Sequence, residues 1–216
     1  MPLRALCAAL LLALSAGGCR SINSGFWGAL GYEKRDLLVS DVKQARDEQN
    51  KAKDEFKSAL DQFKALAGAS TDATLQAKYD KLKSAYDDAD SRAKKVSKRI
   101  ADVEYSAGQL FGEWQKELGQ YSDANLRRQS EQRLTETKSR YTQLVGAMKQ
   151  AEAKMQPVLK VFNDQVLRLK HELNASAIAS LQGTTTQVEQ DVAALVADME
   201  KSINEANSFI AQLDKK

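Results

Sequence analysis

Cysteine and histidine are nearly absent from this 216-residue chain, which contains two cysteines and one histidine. Cys7 lies in a segment that we expect to be removed, so the mature chain would hold one cysteine at most. An intramolecular disulfide and a cysteine-ligated metal site are therefore excluded. His171 alone provides neither a two-histidine zinc motif nor a Ser-His-Asp triad. It follows Arg168 and Lys170 near a predicted helix C-terminus, where cations complement the helix dipole, so we interpret it as structural.

Proline and glycine are also scarce, with two and eleven residues respectively. So few breaks favour long helices and argue against a turn-rich sandwich or barrel. No glycine-rich phosphate loop follows a strand, and the Glu-x-x-His pairs of di-iron bundles are missing. We therefore predict that the protein is not an enzyme and has no cofactor and no metal site.

Charge of one sign is not in large excess. The 32 Lys and Arg residues face 29 Asp and Glu residues, and both signs are interspersed along the chain. This balance gives no electrostatic reason to expect a nucleic-acid partner. Apolar residues make up 43% of the chain and charged residues 28%, which is typical of a folded domain with its own core.

A long hydrophobic run is lacking except near the N-terminus, where Arg4 precedes ten apolar residues, 5–14. Ten residues are too few to span a bilayer, which needs about 20, and they fit the core of a signal peptide. The small residues 15–18 and the following Cys19 resemble the lipobox of bacterial lipoproteins. This resemblance implies cleavage before Cys19 and lipidation of that residue, which would attach the protein to a membrane.

An alternative remains open for this segment, because Ala16 stands where a lipobox usually has leucine. Ordinary signal-peptidase cleavage would then leave Cys19 as a free thiol. In either case we divide the chain into a signal peptide (1–18), a lipid-anchor and aromatic segment (19–34) and one helical-bundle domain (35–216).

The central pattern of the chain is a hydrophobic repeat between residues 75 and 118. Apolar residues alternate four and three positions apart, which is the 3.5-residue repeat of a long helix with one buried seam. The seam residues are Leu75, Tyr79, Leu82, Tyr86, Ala89, Ala93, Val96, Ile100, Val103, Ala107, Leu110 and Trp114. Similar seams occupy three other segments, at 38–66, 126–173 and 178–213.

The boundaries of the four helices follow from capping and breaking residues. We expect the first helix to begin near Arg35 or Asp36, because three glycines make a regular helix unfavourable between residues 20 and 34. Gly68 is expected to end the first helix, and Ser70 or Thr71 to cap the second. Gly119 should end the second helix. Ser122 should cap the third helix and Asn174 the last.

Three features inside the helices carry separate predictions. Pro157 removes a helical hydrogen bond, so we expect a kink near Lys154 without a break. Gly183 begins a weak stretch of the last helix, where either a continuous helix or a restart at Thr186 is compatible with the sequence. Gln49 is the one polar residue in the first seam, and we interpret it as fixing register.

Short connections between such helices predict an all-α, antiparallel up-down four-helix bundle. Aligning the first two helices at their loop places Arg35 beside Glu104, and the last helix then ends beside Leu134. The hairpin of the second and third helices, residues 105–134, should therefore project about 20 Å beyond its neighbours.

Apolar side chains on this hairpin need cover, and an aromatic N-terminal segment lies at the same end. We expect the segment to fold over the hairpin, with both tryptophans in one cluster; insertion of the aromatic residues into a membrane interface is the alternative. Hairpin charge does not favour membrane contact, because four basic residues are offset by four acidic ones. The candidate interaction surface consists of Phe26, Trp27, Tyr32, Leu110, Phe111, Trp114 and Tyr121.

Several motifs resemble those of one known family. They are the run 31–39, Ala45-Arg46, Leu110-Phe111 with Glu113-Trp114, Leu126-Arg127, Arg140-Tyr141, and the runs 151–159, 164–167, 169–171 and 177–181. Together they resemble a family of uncharacterised exported proteins and lipoproteins of Gram-negative bacteria, catalogued only as a domain of unknown function. The resemblance implies the bacterial envelope and supplies no reaction or ligand. Arg20 rather than Asp after Cys19 implies sorting to the outer membrane.

These observations lead to two expectations about function. The first is a non-enzymatic, lipid-anchored protein that faces the periplasm and acts as a structural or protein-binding component of the envelope. The second is a soluble periplasmic binding or chaperone-like module that holds client segments in a groove. The identity of an envelope partner, and association of two bundles into a homo-oligomer, are left open.

Overall fold

Four long α-helices and a short 3₁₀ helix make up the described chain. In order, α1 spans Ile22–Ala67, α2 spans Leu75–Glu117, the 3₁₀ helix spans Leu118–Gln120, α3 spans Ala124–His171 and α4 spans Ala175–Leu213. The structure, a computed structural model, describes the backbone of residues 22–69 and 74–213, and side chains from residue 33 onward within these ranges. The predicted signal peptide, the lipidation at Cys19 and the Ser70 or Thr71 cap lie outside the described residues.

The helices form an up-down bundle in which each helix packs against two neighbours. α1 packs against α2 and α4, and α3 packs against the same two helices from the opposite side. Ion pairs between α1 and α4 run in antiparallel register, with Lys53 paired with Glu200 and Lys64 paired with Glu189. The predicted all-α bundle is confirmed.

The core follows the 3.5-residue seams. On α2 the buried residues follow the predicted seam, except that Ala85 is buried in place of Tyr86, Trp114 is half-buried, and Ser106 and Phe111 are buried in addition. The core also joins helices across the bundle, because the rings of Phe63 on α1 and Phe162 on α3 meet edge to face with their centroids 5.9 Å apart. Across the described residues, the only buried polar side chains are Gln49, Ser106, Ser130 and Ser202.

The start of α1 differs from the prediction. The helix begins at Ile22 rather than near Arg35, so three glycines lie within it. Each glycine costs about 1 kcal/mol in a helix interior. The rest of α1 is already helical because its seam is buried, so adding residues at its start carries no further nucleation cost. For this reason the three glycines do not end the helix.

The register between α1 and α2 also differs from the prediction. Lys34 forms an ion pair with Glu113, whereas the loop-based alignment placed this part of α1 beside Glu104. Residues that precede Lys34 therefore continue α1 alongside the hairpin. The end of α4 lies where it was expected, since Gln212 and Thr135 line the same groove between α3 and α4.

Helix ends and weak points were predicted with mixed success. Asn174 caps α4 as expected, because its Oδ1 accepts a hydrogen bond of 3.0 Å from the backbone N–H of Ala177. The cap of α3 is Asp123 rather than Ser122. α3 continues without a break through Pro157, and α4 continues through Gly183. The kink near Lys154 stays a prediction.

Candidate interaction surface

The free end of the α2–α3 hairpin extends past the end of α4. We call residues 113–134 the arm, because α4 ends beside Thr135 and leaves this part of the hairpin without a fourth helix. In the described chain the arm's own residues on α3 pack against α2, and α1 reaches the arm through Lys34. The arm is therefore thinner than the rest of the bundle.

Two residues of the predicted interaction surface are buried below the arm. Leu110 is 6% exposed and Phe111 is 9% exposed. The ring of Phe111 meets the ring of Tyr141 edge to face, with centroids 5.3 Å apart, and the Lys138 ammonium lies 5.8 Å from the Phe111 centroid. These residues hold α2 and α3 together in the free chain, and their place on an interaction surface stays a prediction.

Trp114 is also committed to the interior of the arm. Its indole Nε1 donates a hydrogen bond of 2.8 Å to Oγ of Ser130, a buried residue of α3. Sequence reasoning missed Ser130, although its position one helical turn before Leu134 could have indicated a seam site. The side chains of Phe26, Trp27 and Tyr32 lie outside the described residues, so the tryptophan cluster stays a prediction.

Two large apolar side chains are exposed at the turn that ends the arm. Tyr121 is 42% exposed and Leu126 is 52% exposed. The turn is fixed by Asp123, whose Oδ1 accepts hydrogen bonds from the backbone N–H groups of Asn125 at 2.7 Å and Leu126 at 3.1 Å. Of the described members of the predicted surface, Tyr121 is therefore the one that faces solvent.

The acidic residues of the arm are largely occupied. The Glu113 carboxylate is 14% exposed and pairs with Lys34. Asp123 is the helix cap, where its charge is matched by the positive end of the α3 dipole. Glu117 is half-buried, and burial, followed by the nearby Glu113, raises the pKa of its carboxyl. Glu131 is the remaining carboxylate of the arm and is exposed.

The basic residues of the arm, unlike two of its acidic residues, are exposed and have no ion pair among the described residues. All four are exposed, namely Lys116, Arg127, Arg128 and Arg133. Within the described residues none of them forms an ion pair, and Arg128 hydrogen-bonds to the neutral amide of Asn125. The sequence count of four basic against four acidic residues therefore does not describe the surface, which presents four exposed cations against two exposed carboxylates, Asp123 and Glu131.

A groove of about 440 Å³ lies between α3 and α4 beside the arm. Its lining is mostly polar, with Glu136, Arg140 and Glu205 as charged residues and Phe209 as an apolar one. A client segment that binds through apolar side chains needs a hydrophobic groove, so this groove does not fit one.

The described part of the chain offers neither a metal site nor a membrane span. No cluster of His, Cys, Asp or Glu there could hold a metal ion. None of the helices in these ranges has the length and hydropathy of a membrane span. His171 is exposed in the last turn of α3, after Arg168 and Lys170.

The comparisons with known proteins concern nearly the whole bundle. The family model described as "Protein of unknown function (DUF2959)" matches residues 25–213. Comparisons with curated proteins and with solved structures each found no match. The match covers all four helices and confirms the resemblance to a family without an assigned activity. The chain belongs to the family Protein of unknown function (DUF2959).

Proposed function

We propose that this protein is a non-enzymatic, lipid-anchored component of the bacterial cell envelope, with a structural or protein-binding role on the periplasmic side. The anchor would be a lipid on Cys19, and Arg20 at the next position favours the outer membrane. The bundle, about 70 Å long from the 48 residues of α3, would then extend from the membrane surface.

The observation that carries the proposal is the composition of the interior. In the described chain no Asp, Glu, Lys, Arg or His side chain is buried, and the buried polar residues are one glutamine and three serines. Catalytic sites typically hold buried titratable groups with strongly shifted pKa values. An interior devoted to packing supports a scaffold or binding protein rather than an enzyme.

The lipid anchor is tested by metabolic labelling with palmitate in a Gram-negative host. We expect label on the wild-type protein, loss of label in Cys19→Ser, and accumulation of the precursor with globomycin. Cys7→Ser is the matched control, since Cys7 lies in the predicted signal core and should be dispensable. Normal maturation of Cys19→Ser would contradict the anchor and favour the soluble periplasmic alternative.

The protein-binding role needs a separate test in intact cells. A photo-crosslinking amino acid at Tyr105, which is 68% exposed on α2, is compared with one at Leu167, which is 51% exposed on α3. A discrete crosslinked product that depends on position supports a specific partner. Weak, heterogeneous crosslinking that is the same at both positions would argue against a specific partner and favour the structural role.

A further inference from the structure

The arm has an unbalanced surface charge that the sequence conceals. Lys116, Arg127, Arg128 and Arg133 are exposed and unpaired within the described residues, whereas three of the four carboxylates are paired, capping or half-buried. Ion pairs elsewhere in the bundle join neighbouring helices, such as Lys154 with Asp198 and Lys149 with Glu104. The arm therefore carries a group of exposed cations that have no ion pair among the described residues.

Two of these cations are unfavourably placed in their helix. Arg127 and Arg128 lie in the first two turns of α3, close to the positive end of its dipole, where cations destabilise a helix. The acidic residue beside them is the N-cap Asp123, and Lys116 lies instead in the last turn of α2, where a cation is favourable. Helix stability therefore gives no reason for two arginines at the start of α3, whereas binding of an anionic partner does.

The turn adds apolar groups to this cationic surface. Tyr121 and Leu126 are exposed next to Arg127 and Arg128. Tyrosine and leucine beside basic residues are the combination that favours the interface of an anionic bilayer, where rings sit at headgroup level and arginines contact phosphates.

The beginning of α1 lies at the same end of the bundle as the arm. Lys34 contacts Glu113 at the base of the arm, and α1 extends twelve residues further towards its start at Ile22, which is about 18 Å. A chain anchored ahead of α1 would therefore present the arm, rather than the opposite end, to the membrane.

We propose that the tip of the arm docks on an anionic lipid surface, through Lys116, Arg127, Arg128 and Arg133 on the headgroups and Tyr121 and Leu126 at the interface. This contact rests on the proposed membrane-associated function, and it would orient the rod relative to the bilayer. It replaces the expectation, drawn from the charge count alone, that the hairpin avoids the membrane.

The test measures the binding of residues 19–216, carrying Cys19→Ser, to sedimented vesicles, so that neither a lipid nor the apolar run of the predicted signal peptide contributes. Phosphatidylcholine vesicles are compared with vesicles that contain about 30% phosphatidylglycerol, which gives an anionic surface. We expect binding to the anionic vesicles to exceed binding to the neutral ones, and the excess to fall when the salt is raised from about 0.1 M to about 0.5 M.

The decisive variant replaces the four arm cations, as Lys116→Gln/Arg127→Gln/Arg128→Gln/Arg133→Gln. Each basic residue at an anionic surface contributes about fivefold to the partition coefficient, so at least about a 25-fold loss is expected even when two of the four reach the lipid. The matched control is Lys57→Gln/Lys81→Gln/Lys95→Gln/Lys160→Gln, which removes four exposed lysines elsewhere and the same net charge. We expect the control to bind within about twofold of the parent chain, because its lysines lie off the arm.

The apolar part of the contact is tested by Tyr121→Ser/Leu126→Ser. Both side chains are exposed, so the fold should be unaffected, and we expect about a tenfold loss of binding to anionic vesicles that persists at high salt. Thermal unfolding of every variant, followed by circular dichroism, verifies the fold. The four-cation variant should unfold near the temperature of the parent, because removing Arg127 and Arg128 from a helix N-terminus offsets removing Lys116 from the last turn of α2.

Three results would overturn the proposal. One is equal binding of the parent chain to neutral and anionic vesicles. Another is an equal loss in the arm variant and the control variant, which would indicate a net-charge effect without a site. The third is arm-dependent binding to duplex DNA with none to vesicles, which would assign the arm to nucleic acid. Palmitate labelling is independent of all three, so failure of this inference leaves the lipid anchor standing.

Discussion

Gln49 is the one amide in the described core, and it is fully buried between α1 and α4. Its Oε1 accepts a hydrogen bond of 2.7 Å from Oγ of Ser202, while its Nε2 has no partner among the described residues. A half-satisfied buried amide costs free energy relative to an apolar residue. Its benefit is specificity, because only one register of α4 brings a hydroxyl to Gln49.

The Gln49–Ser202 pair gives a prediction about stability. Ser202→Ala should lower the free energy of unfolding by about 1–2 kcal/mol, because it leaves the buried Oε1 of Gln49 without its hydrogen-bond donor. Adding Gln49→Met, which has a similar volume, should restore the stability or exceed it. Urea unfolding of the three proteins measures the effect, and a double variant less stable than Ser202→Ala would contradict this account.

Glu117 is the arm residue with the clearest pH dependence. Burial, and then Glu113, raises the pKa of its carboxyl above the ordinary value of 4.5, although Lys34 partly opposes the rise. The folded state therefore binds this proton more tightly than the unfolded state does. The free energy of unfolding accordingly falls as the pH rises from the unfolded pKa through the higher folded pKa.

Replacing Glu117 with glutamine removes this pH-dependent fall in the free energy of unfolding, because glutamine carries no charge. We expect Glu117→Gln to unfold at a higher temperature than the wild type at pH 7, and the difference to disappear at a pH below 4.5. Glu131→Gln, at an exposed carboxylate of the same arm, is the control for the loss of one negative charge. A stability gain for Glu117→Gln that is equally large in acid would assign the effect to packing instead.

At the scale of the element, the long helices were predictable because their seams are regular. The 3.5-residue repeat placed most core residues of α2 and α4 correctly, with Tyr86 and Trp114 half-buried rather than buried, and it did not depend on where the helices end. Helix ends were less predictable, because Ser122 and Asp123 are both good caps and only the backbone conformation selects between them. Asp123 has an extended ψ of 118° and accepts the two hydrogen bonds.

The choice of cap is testable with two neighbouring substitutions. Asp123→Ala should lower the free energy of unfolding by about 1 kcal/mol, because two N–H groups at the start of α3 lose their acceptor. Ser122→Ala should change it by less than about 0.5 kcal/mol, as for other exposed sites without a specific contact. Thermal unfolding by circular dichroism compares the two, and the reverse order would restore the original assignment to Ser122.

The arm shows why part of the candidate site could not be predicted from the sequence. Counting charges gave balance, because the ion pair of Glu113 with Lys34 joins residues 79 positions apart and depends on the register of α1. That register depends on the connection between α1, which ends at Ala67, and α2, which begins at Leu75. The burial of Leu110 followed from the predicted seam, whereas Phe111 is buried beside the seam.

The whole molecule is a rod, and its length is a direct prediction. α3 contains 48 residues and should span about 72 Å. A solid bundle of this length has a radius of gyration of about 22 Å, compared with about 17 Å for a compact domain of similar size. Small-angle X-ray scattering of the unlipidated chain should give the larger value. A value near 17 Å would mean that the arm folds back on the bundle.

The up-down topology places the start of α1 and the end of α4 towards the arm, and the α1–α2 and α3–α4 connections at the opposite end. A pull between an anchored N-terminus and that opposite end acts along the helix axes. Separation would then require all the seams to slide together rather than to open one by one from an edge. The fold is therefore suited to transmitting tension along its length, and the orientation in which it is held decides how much force it withstands.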